Sequence, residues 1–128
     1  MLKLYKFKTR GFGIITTTDI EENTILGNYL EQTSQNTSLR YIFNGWFESI
    51  FLGRYLNSNP NPNCTFIKDK NTIKVITKEK IKPNTELTVD YHQISKIIKL
   101  PKETQIKYGI KHFDYIDEEI DLNFYKLI

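Results

Sequence analysis

From Arg54 to Asn63 the chain reads Arg-Tyr-Leu-Asn-Ser-Asn-Pro-Asn-Pro-Asn, and this stretch restricts the fold more than any other. Pro60 and Pro62 each remove a backbone donor and push the preceding residue into an extended conformation, so no helix runs through them. Asn57, Asn59, Asn61 and Asn63 carry short amides that can bond neighbouring backbone groups instead of a regular ladder. The middle of the chain is therefore irregular, and the regular elements fall on either side of it.

On the N-terminal side, Leu2 to Lys8 reads as an edge strand, followed by a tight turn at Arg10-Gly11-Phe12-Gly13. Ile14 to Thr18 is β-branched throughout and reads as a strand. Asp19 to Thr24 is turn-like, Ile25 to Leu30 is a third strand, and Gln32 to Ser38 is a polar loop. From Leu39 to Phe51 two readings stand. Leu39, Ile42, Phe43, Trp46, Ile50 and Phe51 follow helical spacing, while Asn44-Gly45 signals a hairpin. Beyond the asparagines, Thr65 to Ile67 and Thr72 to Thr77 read as strands around a turn, and Glu86 to Tyr91 as a further strand. Pro101 suits the first turn of a helix over Lys102 to Tyr108, and Phe113 to Ile128 suits a last helix. Many short strands with a little helix indicate a β-rich single domain over residues 1–128.

Composition removes several classes of function. No apolar run approaches the roughly 20 residues of a membrane span, and the first residues lack a signal-peptide stretch, so an intracellular protein is expected. One cysteine, Cys64, excludes an internal disulfide and a multi-cysteine zinc cluster; with only two histidines, no metal site is expected. A net charge of +3 is too small to argue for direct nucleic-acid binding. Lysines crowd Lys68 to Lys82, and Asp114, Asp117, Glu118, Glu119 and Asp121 make the tail acidic. The chain contains no alanine, which packing does not explain and A/T-rich coding would.

Three separated stretches then stand in a telling order: Gly11-Phe12-Gly13, Arg54 to Asn63, and Glu86-Leu87-Thr88-Val89-Asp90-Tyr91. Between the first two come an acidic turn, Asp19-Ile20-Glu21-Glu22, and Leu26-Gly27-Asn28-Tyr29. Singly each is weak. Together, over about residues 3–92, they resemble a SET-domain protein lysine methyltransferase, similar to the compact stand-alone SET proteins of some large DNA viruses. The departures are Ser58 for a histidine, Pro60 for a cysteine, Asn84 for a turn glycine, His92 for a glycine, and no cysteine-rich zinc segment.

The resemblance implies a mainly β fold of several small sheets around a C-terminal pseudoknot, with short helices. It implies methyl transfer from S-adenosylmethionine to a protein lysine. Tyr91 would sit beside the transferring methyl, and Tyr29 would line the lysine channel with Phe66 and Val89. Phe66 and Val89 carry no hydroxyl to hold the amine, so more than one methyl is expected. Arg10, Phe12, Gly13, Arg54, Tyr55, Asn57 and Ser58 would hold the cofactor, Arg54 through its carboxylate. Asn63 would brace the pseudoknot, and Tyr108, Phe113 or Tyr115 would stack on adenine from a segment, 93–128, that completes the site.

The implied partner is a lysine-bearing protein tail, a histone tail first, with a non-histone protein as the other choice. A histone target would mean a nuclear location. A minimal domain would complete its surface by self-association, so a homodimer is expected. A second class stays open, a catalytically silent SET fold that binds a partner or cofactor only. Ser58, Pro60 and the missing zinc segment favour it; Tyr91, Tyr29, Asn57 and the two glycines oppose it.

Overall fold

Tyr5, Phe7 and Ile15 project to one side of the first hairpin, and Ile14 to the other, as the two-residue period of a strand requires. The computed structural model describes residues 1–8, 11–33, 39 and 41–101, and the backbone of residues 124–125. In it β1 (Leu2–Phe7) pairs antiparallel with β2 (Gly11–Thr16). Gly11 and Gly13 thus lie within the second strand rather than in the turn expected for them. They stand directly across from Phe7 and Tyr5, whose rings pack 5.0 Å apart.

A second sheet begins with β3 (Ile25–Gln32). The ambiguous stretch resolves as a hairpin of β4 (Tyr41–Phe43) and β5 (Trp46–Glu48), not a helix. Asn44 and Gly45 both take positive φ, 51° and 81°, as a two-residue turn between twisted strands demands. Trp46 is buried in the core.

Next come a single helical turn, α1 (Leu52–Tyr55), and a two-residue strand, β6 (Asn57–Ser58). The hairpin of β7 (Cys64–Asp69) and β8 (Thr72–Thr77) joins β3, giving the order β4-β5-β3-β8-β7. The chain then returns to the first sheet as β9 (Thr85–Val89). The strand expected to reach Tyr91 stops at Val89, and α2 (Tyr91–Ile97) begins. Asp90 causes the change: its carboxylate accepts from the His92 N–H (2.9 Å) and caps the helix.

Residues 124–125 form β10 (Phe124–Tyr125), paired with Leu4 and Tyr5. These two residues are a strand where a last helix was expected, and β1 is an inner strand rather than an edge. The helix expected over Lys102 to Tyr108 lies outside the described residues.

The first sheet has the order β10-β1-β2-β9-β6. β9 is antiparallel to β2 and parallel to β6, with Asn57 opposite Thr88 and Ser58 opposite Val89. The chain leaves the sheet at β6, builds a hairpin in the other sheet, and comes back between β2 and β6. This inserted strand is the pseudoknot of the expected fold, a departure from the usual unthreaded topology. Ile14, Leu30, Trp46, Ile73, Val75, Leu87, Val89 and Ile94 belong to one buried cluster that takes residues from both sheets and α2. No described helix is long and apolar enough to cross a membrane.

Candidate active site

The pairing between β2 and β9 ends at Ile14 and Leu87, and a side chain takes over from the backbone ladder. Asn57 Nδ2 donates to the Phe12 carbonyl (3.0 Å) and to Glu86 Oε2 (2.8 Å). One amide thereby ties β2, β6 and β9 together. A Cβ on Gly13 would collide with the Glu86 carboxylate, the Phe7 ring and the Asn57 amide, so only glycine fits. Asn63 performs a second bracing. Its Nδ2 donates to the Glu86 carbonyl (2.8 Å) and its Oδ1 accepts from the Thr88 N–H (2.9 Å). The side chain of Asn63 thus imitates a strand along β9.

Tyr91 is held from two directions by the segment it crosses. Its N–H donates to Ser58 Oγ (3.1 Å), and its hydroxyl donates to the Leu56 carbonyl (2.6 Å). The phenol proton is therefore directed to the Leu56 carbonyl. Val89 lies fully buried beside Ser58 in the parallel pair. Tyr29 lies buried on β3 with its ring 4.8 Å from that of Phe66. Tyr29, Val89, Phe66 and Tyr91 all belong to the same apolar cluster, which gives an aromatic wall near the pseudoknot.

A second aromatic group runs from the surface to the edge of the core. Phe12, 39% exposed, meets Tyr55 edge-on at 6.1 Å, and Tyr55 meets Phe51 at 6.2 Å. Arg54 stands exposed on the same helical turn and forms no ion pair with a described residue. Chemically this surface offers a cation, flat apolar faces and the half-buried Asn57–Ser58 strand. Of the residues expected at the cofactor, Asn57 donates its amide to the Phe12 carbonyl and to Glu86, and Ser58 Oγ accepts from the Tyr91 N–H. Arg10, Tyr108, Phe113 and Tyr115 lie outside the described residues.

Sequence reasoning missed Ser49 and Gly53. The Ser49 N–H donates to the Tyr29 carbonyl (2.9 Å), and Ser49 Oγ accepts from the Gly53 N–H (2.7 Å). A Cβ on Gly53 would collide with that same Tyr29 carbonyl. A glycine two residues into a helical turn was the available signal. Cys64 is fully buried, and desolvation pushes its thiol up to about 12, so it is a packing residue. Among the described residues no group of three or more His, Cys, Asp or Glu side chains is placed to hold a metal.

Comparison with known proteins agrees with this architecture. A family model described as the SET domain matches residues 11–92. A histone-lysine N-methyltransferase of Candida albicans, H3 lysine-36 specific, is 27% identical over 116 aligned positions, covering 71% of this chain. The match spans only 14% of that relative's length. Among solved structures, the methyltransferase domain of human PR domain-containing protein 2 is similar in fold, with TM-score 0.50 and 19% identity. That likeness covers 69% of this chain and 74% of the other. A humanized mutant of the Chaetomium thermophilum Polycomb Repressive Complex 2, solved with an inhibitor, gives TM-score 0.52 at 18% identity, covering 71% and 15%. With its threaded β9, its three motifs in order and a family match over most of its length, the chain belongs to the SET-domain family.

Proposed function

We propose that this protein transfers a methyl group from S-adenosylmethionine to the side-chain amine of a protein lysine. The observation that carries the reading is Tyr91, whose hydroxyl is pinned to Leu56 on the pseudoknot beside the aromatic wall of Tyr29 and Phe66. The donor set suits the cofactor: the Arg54 cation, in no ion pair with a described residue, matches a carboxylate, and the exposed Phe12 and half-buried Tyr55 rings match apolar surface. Arg10, Gly13, Asn57 and Ser58 complete that set, the last two through backbone groups. The adenine-stacking aromatic that the family resemblance implies is Tyr108, Phe113 or Tyr115, all outside the described residues. When bound, the cofactor supplies an electrophilic methyl on a cationic sulfur.

The chain's own part is to orient and desolvate. A free lysine has a pKa of ~10.4, so about one amine in a thousand is neutral near pH 7.4. The apolar walls of Tyr29, Phe66 and Val89 disfavour the ammonium and lower that pKa, so the proton leaves to solvent before attack. The Tyr91 oxygen, its proton committed to Leu56, accepts from the amine N–H and turns the nitrogen lone pair towards the methyl. Phe66 and Val89 carry no hydroxyl to hold the amine, which supports transfer of more than one methyl.

A histone tail is the favoured substrate, supported by the lysine-36-specific relative, and a nuclear location follows from it. The acidic run Asp114 to Asp121 would receive such a basic tail, and a homodimer is the proposed assembly. The bond that Ser58 accepts from the Tyr91 N–H ties it to the proposed catalytic tyrosine and supports the enzyme over the silent module. The test is to incubate the protein with isotopically labelled cofactor, core histones and a whole-cell extract, then locate the label by mass spectrometry. Label on a histone lysine supports the whole reading. Label only on another protein keeps the chemistry and discards the histone. No label, with active controls, overturns the enzyme.

A further inference from the structure

We propose that Ser49 is a positioning residue, holding the two site tyrosines in a fixed relation through the single turn of α1. The proposal deepens the methyl-transfer reading and rests on it for its kinetic consequence. Ser49 stands in none of the three motifs and is nearly inaccessible, 9% exposed. Its two polar contacts run in opposite directions. The N–H goes to the Tyr29 carbonyl on β3, and Oγ takes the Gly53 N–H inside α1.

The helix depends on this hydroxyl. The first N–H groups of a helix lack partners within it, and a side-chain acceptor near the start normally supplies one. Here the cap position is Phe51, which makes no side-chain hydrogen bond. Ser49 performs the task from two residues upstream. A four-residue helix has little cooperative stability of its own, because the cost of nucleation is spread over very few bonds. Gly53 adds a geometric constraint, since the turn lies against the Tyr29 carbonyl closely enough to exclude a Cβ.

The other end of the turn leads to Tyr91. Leu56 closes α1, its N–H donating to the Leu52 carbonyl (3.2 Å), and its own carbonyl receives the Tyr91 hydroxyl (2.6 Å). A continuous path therefore runs from the Tyr29 carbonyl through Ser49, Gly53, one helical turn and Leu56 to the Tyr91 phenol. The only rotatable side-chain torsion before the phenol is that of Ser49. Releasing it frees the turn, lets the Leu56 carbonyl move, and shifts the Tyr91 oxygen relative to Tyr29. Displacements well under 1 Å at reacting groups suffice to cost rate.

The experiment compares Ser49→Ala with Ser49→Thr, which keeps the hydroxyl. Ser49→Ala should lower kcat about tenfold with the peptide KM within about twofold, and Ser49→Thr should restore kcat. A second readout does not need catalysis. In protein labelled at tyrosine 13Cζ, the Tyr91 resonance, assigned through Tyr91→Phe, reports whether the phenol still donates to Leu56. It should move in Ser49→Ala and return in Ser49→Thr. If Ser49→Ala does not fold, Ser49→Cys, with its weaker sulfur acceptor, carries both readouts. Lower stability with the Tyr91 resonance and kcat at wild-type values overturns the proposal. A wild-type protein that transfers no methyl overturns the methyl-transfer reading alone, and the resonance still decides the part played by Ser49.

Discussion

Replacing Asn63 by alanine should weaken the pseudoknot by an amount that can be worked out from its bonds. The side chain gives one donor to the Glu86 carbonyl at 2.8 Å and one acceptor to the Thr88 N–H at 2.9 Å. Thr88 and Leu87 are buried, so water reaches the stripped groups of β9 poorly. An unsatisfied group in such a setting costs about 1–3 kcal/mol, and Asn63 is itself half-buried, so a loss of about 2–4 kcal/mol is expected for the pair. Against the 5–15 kcal/mol typical of a domain, that is a large fraction. In urea unfolding, with a slope of about 1.5 kcal/mol/M, the midpoint should fall by about 1.3–2.7 M. Asn61→Ala supplies the control: Asn61 is exposed, and among the described residues only its backbone N–H is bonded, to Asn59 Oδ1 (2.8 Å). Its midpoint should change by less than about 0.3 M. Equal midpoints for the two variants would refute the claim that Asn63 stands in for a strand.

Three further outcomes are expected. Cys64 should resist a thiol reagent in the native protein at pH 8 and react in denaturant, and prompt native reaction would contradict its burial. Its thiol ionises in the unfolded chain near 9 but in the folded one only at about 12, so this group favours the folded state less as pH rises through that window. The methyl-transfer rate should climb with pH towards the lowered pKa of the bound lysine, and a flat profile from pH 6 to 10 would count against prior deprotonation. Extended reactions should yield lysines with two or more methyls; monomethyl-lysine alone at long times would remove the reading of Phe66 and Val89.

Much of this site was legible in the residues themselves, for identifiable reasons. The asparagines and prolines at 57–63 announced an irregular segment, and the structure puts two of those amides, Asn57 and Asn63, to work on β9. Glycines with aromatic neighbours were legible as special, but not as strand residues lying under Tyr5 and Phe7, because that pairing depends on β1. Helix α2 was hidden because Asp90 continues a β-branched and aromatic run; the signal was a capping residue followed three positions later by Gln93. The hairpin at 41–48 was half legible: Asn44-Gly45 outweighs helical spacing once both residues adopt positive φ. Ser49 left no trace in the sequence, since its partners, the Tyr29 carbonyl and the Gly53 N–H, are backbone groups brought together by folding.

The central claim is that Tyr91 acts at the reacting atoms, and single-turnover methyl transfer with saturating cofactor and lysine peptide tests it most directly. The account predicts that Tyr91→Phe keeps the fold and binds both ligands with constants within about threefold of wild type, while the transfer step slows by about 10²-fold or more. Transfer at the wild-type rate in Tyr91→Phe would contradict it.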